Sequence, residues 1–477
     1  MFLNNFRSKE LKNYYKKNFL KRIKYIRIFS YFYNYVSKLL GNFTDDSKNI
    51  LFLGIGVYPF LKHLRVKNIY VSDISDKYFN LIKKNIPNKK FINFNLIDQK
   101  KNSQKFDKII LTSLENEENP ISFLKNVRKL VSNDGRLFLL KNNLYLFPIM
   151  KFCEFLCLRF KHVTRNIISE NFLKNICEQT DFEVVHKENT ILFPLYIPII
   201  SNFINKFIAK FPILNKFCLI TVYVLRPVLK KDKIDNYSLS IIVPCKNEEK
   251  NIKSVINSIP KICKKTQILF GDDKSTDNTL KEIKKFVVKK KNYEISYYLA
   301  PGISKSENVY LGFEKATGDI IAILDADNTV HGSELSEFIK LLTTKKYDFI
   351  NGTRFVYPMH SKAMKKFNFF GNSLFSYLFS FLFNLQISDT LCGTKVFYKK
   401  DWFKIKKKIR TWGLTDLWGD YDLLLGAKYN FLKIGEQPVF YKNRLEGETK
   451  MKNILINGLR MFYIILFSFF CFKNRDK

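Results

Sequence analysis

The sequence predicts an α/β protein of two successive domains, and three observations carry that expectation. The chain of 477 residues is too long for one ordinary core. Short runs rich in Ile, Leu, Val and Phe end repeatedly in glycine or aspartate before a polar, helix-starting segment, as strands of a parallel sheet do. A charged stretch, Lys230-Lys231-Asp232-Lys233-Ile234-Asp235-Asn236, separates two such series. The expected divisions are a basic helical segment over 1–43, a first α/β domain over 44–230, a second over 237–452 and an apolar tail over 453–477.

Composition narrows the partners. Hydrophobic residues make up 46%, enough for packed domains, while 81 Lys+Arg against 43 Asp+Glu give a formal charge of +38. Such a balance attracts anionic membrane surfaces, nucleotides or nucleic acid, although a Lys-rich solvated surface is the plain alternative. No nucleic-acid module is found and no nucleic acid is expected as a partner. The eight cysteines are scattered without a CxxC pair, as expected of reduced thiols in the cytosol. Met1 to Leu40 has no apolar run long enough for a signal peptide or a spanning helix. Its rings interleaved with Lys and Arg suit helices on a lipid surface or helices packed on the first domain.

From Lys48 the first series begins. Asn49 to Gly56 is a strand running into a glycine turn, and Asn68 to Ser75 a second strand ending at Asp73. Phe91 to Asp98, Phe106 to Leu111 and Gly135 to Leu140 are three more, with a helix from Pro120 to Leu130. The set resembles the class I S-adenosylmethionine-dependent methyltransferases. That resemblance implies a Rossmann-like domain holding S-adenosylmethionine, with Gly54 and Gly56 at its methionine end, Asp73 on the ribose hydroxyls and Asp98 near the adenine. Two departures bear on activity. Phe52 stands where the family usually has an acid, and Val57-Tyr58 are bulky where a small residue is usual, so a ring would oppose the cofactor's approach. Methyl transfer and a degenerate domain kept for packing or binding are both open, and no catalytic base is nominated. Further on, Asp181 to Val185 and Leu219 to Leu225 read as late strands. Leu192 to Ile200 holds Pro194 and Pro198 and cannot be one regular helix; it is expected to touch a membrane or the second domain.

In the second series, Leu239 to Val243 is a strand stopping at Pro244, and Gln267 to Phe270 another ending in Gly271-Asp272-Asp273. Ile320 to Leu324 is a buried strand followed by Asp325-Ala326-Asp327. Alternate residues of an extended segment face the same way, so Asp325 and Asp327 can meet one ligand, and their hard oxygens suit Mg²⁺ or Mn²⁺ carrying a diphosphate. A strand with an ordinary polar turn is the other reading. In a parallel sheet the three termini line one cleft.

As a set, Ile241 to Glu249, Asp272 to Thr279 and Gly318 to Asp327 resemble the family 2 glycosyltransferases with the GT-A nucleotide-diphospho-sugar fold. The order of the two halves resembles bacterial fused proteins that carry both. The resemblance implies a nucleotide-diphospho-sugar donor at Pro244, Glu248, Asp272, Asp273 and Asp325, with Lys305 on a phosphate and the metal at Asp325 and Asp327. Asp273 and Asp277 also fit caps of the following helix.

Phe367 to Phe383 is aromatic on nearly every face, and Lys362, Lys365 and Lys366 precede it. It resembles the interfacial helix of polyprenyl-phosphate glycosyltransferases, with Ser388 to Phe397 as the segment that follows; a packed core helix is the competing view. Asp420 and Asp422 start a helix, where either serves as a base, orients substrate or caps, and a lipid phosphate needs no base. Arg444 to Lys450 resembles the Arg-x-x-Gly-x-Ser/Thr-Lys loop of the same enzymes. Arg444 and Lys450, with Arg354, are thereby implied to face the acceptor phosphate. Met461 to Phe472 is apolar but short of a bilayer crossing, and reads as interfacial or partly inserted.

The expected activity is transfer of a sugar from a nucleotide-diphosphate donor to a membrane-associated acceptor, polyprenyl phosphate foremost, at the cytoplasmic face of the cell membrane. Asp325, Asp327, Asp420, Asp422 and Arg444 are the catalytic candidates. A methyltransferase with a sugar-nucleotide-binding partner domain, and a membrane-bound scaffold with both sites decayed, are the alternatives; intact Asp325-Ala326-Asp327 and Arg444 speak against decay.

Overall fold

In the computed structural model the chain forms two compact units, residues 1–229 with 474–477, and residues 230–473. The residues described are 6–44, 49–54, 58–66, 68–73, 76–86, 90–93, 104–112, 114–163, 166–357, 366–409, 411, 416–442 and 454–474.

The first unit holds strands β1 (Asn49–Gly54), β2 (Asn68–Asp73), β3 (Lys90–Asn93), β4 (Phe106–Leu111), β5 (Val131–Asn142), β6 (Phe182–Thr190) and β7 (Ile220–Pro227). They form one sheet in the order β3-β2-β1-β4-β5-β7-β6. The first five are parallel, and β7 enters antiparallel between β5 and β6. Helices α1 (Phe6–Lys17), α2 (Phe19–Ile28), α3 (Ser30–Phe43), α4 (Asp76–Asn85), α5 (Pro120–Leu130), α6 (Phe147–Phe155), α7 (Glu170–Gln179), α8 (Ile200–Lys206) and α9 (Pro212–Asn215) accompany it. Local chemistry sets their ends. Helix α5 begins where the Asn119 side chain accepts from the Ser122 N–H at 2.9 Å and Pro120, with no N–H to satisfy, takes the first turn. The basic N-terminal helices pack into this unit, one of the two arrangements expected of them. Ser37 donates to the Phe60 carbonyl at 2.9 Å, and Phe43 stacks on Phe138 at 5.7 Å.

The second unit holds β8 (Ser238–Cys245), β9 (Lys265–Asp272), β10 (Val288–Lys290), β11 (Tyr293–Leu299), β12 (Ile320–Ile323), β13 (Phe349–Thr353), β14 (Lys395–Tyr398) and β15 (Ile434–Pro438). Their order is β10-β11-β9-β8-β12-β14-β13-β15, with β11, β9, β8 and β12 mutually parallel. The helices are α10 (Ile252–Ser258), α11 (Thr279–Lys285), α12 (Lys305–Lys315), α13 (Leu335–Thr343), α14 (Lys366–Phe383), α15 (Lys399–Lys406), α16 (Asp420–Tyr429) and α17 (Ile454–Asn474). Side chains alternate across the sheet, so Ile242, Ile321 and Ile323 enter one apolar layer while Ile241, Val243, Ile320 and Ala322 enter the other.

Helices α14 and α17 correct the sequence reading. Phe379 and Phe383 are buried with Met461, Ile464 and Ile465 of α17, and the Phe383 ring lies 5.8 Å from that of Phe472. The expected tail is therefore part of the core of this unit. What α14 leaves outside is a stripe of Phe370, Leu374, Tyr377 and Phe381, at helical spacing. No helix among the described residues is long and apolar enough to cross a membrane.

This division is testable by urea unfolding. Phe379→Ala or Phe383→Ala should each cost about 3–5 kcal/mol, whereas Phe370→Ser and Tyr377→Ser should stay within about 0.5 kcal/mol of wild type.

Candidate active site

The parallel strands β9, β8 and β12 end at one edge of the second sheet, where Cys245 is the register partner of Asp272 and the Leu324 N–H binds the Ile242 carbonyl at 3.0 Å. The loops after β8 and β9 are locked together. Asn247, at φ 54, accepts from the Thr276 N–H at 2.8 Å, the Glu248 N–H reaches the Thr279 hydroxyl at 2.8 Å, and Glu249 accepts from Asn278. Pro244 is half-buried at the strand end, and the buried Glu248 carboxylate accepts from Asn251 at 2.8 Å.

Asp272 is 4% exposed; its Oδ2 accepts from the Ser275 N–H at 3.4 Å, and among the described residues none hydrogen-bonds its buried Oδ1. Such an orphan acceptor costs free energy unless a ligand donor meets it. Asp273 does not cap the following helix. Its Oδ1 accepts from the Gly302 N–H at 2.9 Å and its Oδ2 faces Lys246, so it fixes the turn before α12. Asp277 does sit at the helix start, accepting from the Thr279 N–H at 2.9 Å.

Helix α12 opens with a reciprocal-cap sequence, Ser304 accepting from the Glu307 N–H at 3.2 Å, and so presents Lys305 at its first turn. The Lys305 ammonium pairs with Asp325 Oδ1 at 2.5 Å. Burial works against the ammonium, but Asp325, Asp420 and Asp327 outweigh it and raise Lys305 above its ordinary value. Gly393 closes over this pair: a Cβ there would lie 2.4 Å from Asp325 Oδ2. Asp327 Oδ1 accepts from the Thr329 N–H and hydroxyl at 3.2 and 2.8 Å, and Asn328 takes φ 55 to turn the chain. Among the described residues no cluster of three or more His, Cys, Asp or Glu gathers to hold a metal by itself.

Around the start of α16, Asp420 pairs with the buried Lys395 at 2.6 Å. Asp422 is fully buried and accepts from the Tyr310 hydroxyl at 2.9 Å, so it does not reach the cleft as the sequence suggested. The helix is capped instead by Asp416, which the sequence reading missed. It accepts from the Tyr421 and Asp422 N–H groups at 2.8 and 3.2 Å, and burial, then Asp420, raises its carboxyl above the ordinary value. Lys395 lies within the Ser388 to Phe397 segment and is fully buried.

Arg354, expected on an acceptor phosphate, is engaged elsewhere. Its Nε and Nη2 grip the buried Asp389 at 2.7 and 2.9 Å, and Asn372 of α14 donates to the same carboxylate at 2.9 Å. The fork that would recognise a phosphate is taken. Arg444 and Lys450 lie outside the described residues; the chain approaches them from Lys442, whose N–H binds the Thr329 carbonyl beside the Asp327 turn at 2.9 Å.

In the first unit, Gly54 and Asp73 end adjacent parallel strands as register partners. Gly56 and Asp98 lie outside the described residues. Phe52, standing in place of the usual acid, is buried and stacks on Phe60 at 6.4 Å.

Comparison with known proteins agrees with both arrangements. Residues 240–418 match the glycosyl transferase family 2 model, and residues 26–187 match a methyltransferase domain. Residues 240–418 of the second unit thus carry a family 2 glycosyltransferase-like region, and residues 26–187 of the first a methyltransferase-like region. A UDP-N-acetylglucosamine–dolichyl-phosphate N-acetylglucosaminyltransferase of Methanococcus voltae is 25% identical over 47% of this chain and 94% of its own length. An undecaprenyl-phosphate 4-deoxy-4-formamido-L-arabinose transferase of Proteus mirabilis is 27% identical over 24% of this chain, which spans only 36% of that relative. Among solved structures, glucosyl-3-phosphoglycerate synthase of Mycobacterium tuberculosis with Mn²⁺ and uridine diphosphate aligns over 49% of this chain and 80% of its own, at TM-score 0.36 and 15% identity.

The Arg354–Asp389 pair gives a pH prediction. Burial alone would raise the Asp389 carboxyl, but Arg354, with help from Asn372, holds it below its ordinary 3.8. Its stabilising contribution is therefore complete above that value and lost as pH falls below it. Arg354→Met strands a buried carboxylate and should cost about 3–5 kcal/mol in urea unfolding at neutral pH, with the difference from wild type narrowing below about pH 4.

Proposed function

We propose that the second unit transfers a glycosyl group from a nucleotide-diphosphate donor to a polyprenyl phosphate at the cytoplasmic face of the cell membrane. The observation that carries this reading is the shared edge of β9, β8 and β12, where the orphaned Asp272 carboxylate oxygen and the Asp325–Asp327 turn stand at strand ends on either side of β8. Asp272 Oδ1 suits an N–H donor of the nucleobase, with Pro244 and Glu248 framing the nucleoside. Asp325 and Asp327 offer hard oxygens for Mg²⁺ or Mn²⁺, and the donor diphosphate would complete the coordination. Bound in that way, the cation offsets charge on the departing diphosphate. Lys305 starts α12 beside Asp325 and can turn to a donor phosphate.

In the transfer, an acceptor phosphate oxygen forms a bond to the anomeric carbon as that carbon's bond to the donor diphosphate breaks and nucleoside diphosphate leaves. An anionic acceptor requires no base, in keeping with Asp420 tied to Lys395 and Asp422 sealed against Tyr310. The dolichyl- and undecaprenyl-phosphate relatives support the acceptor class, and the exposed stripe of α14 supports the membrane face.

A panel of nucleotide sugars should contain one that raises Tm only with Mn²⁺ present. Asp327→Ala should abolish that shift and lower transfer to polyprenyl phosphate on the order of a hundredfold or more with the fold intact. Unchanged turnover would reject the site.

For the first unit, the in-register ends Gly54 and Asp73 favour S-adenosylmethionine as ligand. Calorimetry should show binding to wild type and a loss of about 1.5–3 kcal/mol in Asp73→Ala. No heat with wild type at millimolar cofactor would leave this domain without that ligand.

A further inference from the structure

Strands β5, β6 and β7 meet at one corner of the first sheet, where Ile220 is the register partner of both Asn142 and Thr190. Because β5 runs parallel to β4 and β1 while β7 runs against it, that corner belongs to the edge where Gly54 and Asp73 end. Two segments leave it: 143–163, containing α6, and 191–219, containing α8 and α9. The Asn143 side chain joins them by donating to the Lys216 and Cys218 carbonyls, both at 2.7 Å. Helices α2 and α3 hold each from behind, through the Tyr25 hydroxyl on the Cys157 carbonyl and the Tyr31 ring 5.7 Å from Tyr196.

Both segments turn large apolar side chains outward. Tyr145, Phe155 and Ile199 are 80% exposed or more, and Phe152, Phe211 and Ile213 60% or more. Ile199 is held at φ 64, with the Ile200 N–H on the Pro198 carbonyl at 2.6 Å, a turn disfavoured for a branched residue that here projects it into solvent. Isolated exposed rings need no explanation, but a face gathered from two insertions does.

The two segments and α2 carry almost no acid. The only acid on the two segments, Glu154, is buried between Lys151 and Arg159 at 2.9 and 3.1 Å. Segment 191–219 has none, while exposed Lys21, Lys24 and Arg27 line α2, which also lacks acids. Aromatic and aliphatic tips set among cations match the acyl boundary and headgroups of an anionic lipid surface, which a second cationic copy would not. We infer that the first unit docks by this face on an anionic lipid bilayer. That turns the edge carrying Gly54 and Asp73 toward the lipid, and it holds or fails independently of the glycosyl-transfer site.

The three tryptophans, Trp402, Trp412 and Trp418, all belong to the second unit, so Phe155→Trp in the full chain adds a single reporter to the first. With phosphatidylcholine vesicles containing phosphatidylglycerol, the added indole emission should shift to the blue and be quenched by brominated lipid, less so in high salt. Phe152→Ser, Phe155→Ser and Phe211→Ser combined should lower vesicle partitioning at least about tenfold, since even one ring's transfer is worth that much, while leaving the Mn²⁺-dependent donor shift intact. The inference is overturned if the added indole is unquenched and the triple variant co-sediments like wild type, since contact would then lie in the second unit. It is equally overturned if wild type ignores anionic vesicles, or if light scattering shows a dimer that the triple variant dissociates.

Discussion

Parallel pairing of β8 with β9 on one side and β12 on the other is the constraint on which the second unit depends. It brings three chain reversals to one level, so that residues far apart in sequence share an edge. Glycines let the layers approach closely enough for this: a Cβ at Gly271 would fall 2.0 Å from Asn308 Oδ1, and one at Gly318 2.6 Å from the Ser240 nitrogen. With α12 seated on β8 and β9, its first residue, Lys305, arrives beside Asp325. The mutual bonds of the 244–251 and 272–279 loops then fix one wall of the cleft without a ligand, which lowers the ordering cost of binding one.

Charge in this site is spent differently from charge in the chain as a whole. The sequence carries a formal +38, yet Lys305, Lys395 and Arg354 are each matched to a carboxylate at 2.5 to 2.7 Å. These pairs are not equivalent. Drawing Arg354 away would abandon the fully buried Asp389, at a cost of several kcal/mol, whereas Lys305 and Asp325 are each about 30% exposed and can exchange partners more cheaply. Of these three cations, Lys305 is therefore the one an entering diphosphate can draw away most readily.

The three strands that end at the site, β8, β9 and β12, were legible because each is a compact apolar run ended by Pro, Gly or Asp, signals that act locally; their lateral order was not. Helix Pro120–Leu130 was readable for the same reason, its Asn-Pro start being chemistry of adjacent residues. Pairings across long separations were not readable. Nothing near Arg354 announces Asp389, which lies 35 residues on, and nothing near Asp422 announces Tyr310, 112 residues back. Asp273 looked like a cap because Asp before a helix usually is one; the Gly302 turn, 29 residues away, claimed it instead. Asp416 carried a readable signal, an acid shortly before a helix, that the more conspicuous Asp420 and Asp422 obscured.

Helix α14 shows why the aromatic content, 16% of the chain, resisted a single interpretation. Periodicity separates core from surface only when the surface is polar, and here both sides of the helix carry rings. The packing resolves it: Phe379 and Phe383 go inward against α17, while Phe370, Leu374, Tyr377 and Phe381 stay out. A core alone would require only the first set. The second set lies outside that core, as do the outward rings of the first unit. Both outward sets of rings offer the apolar surface that the proposed contact with an anionic lipid boundary would use.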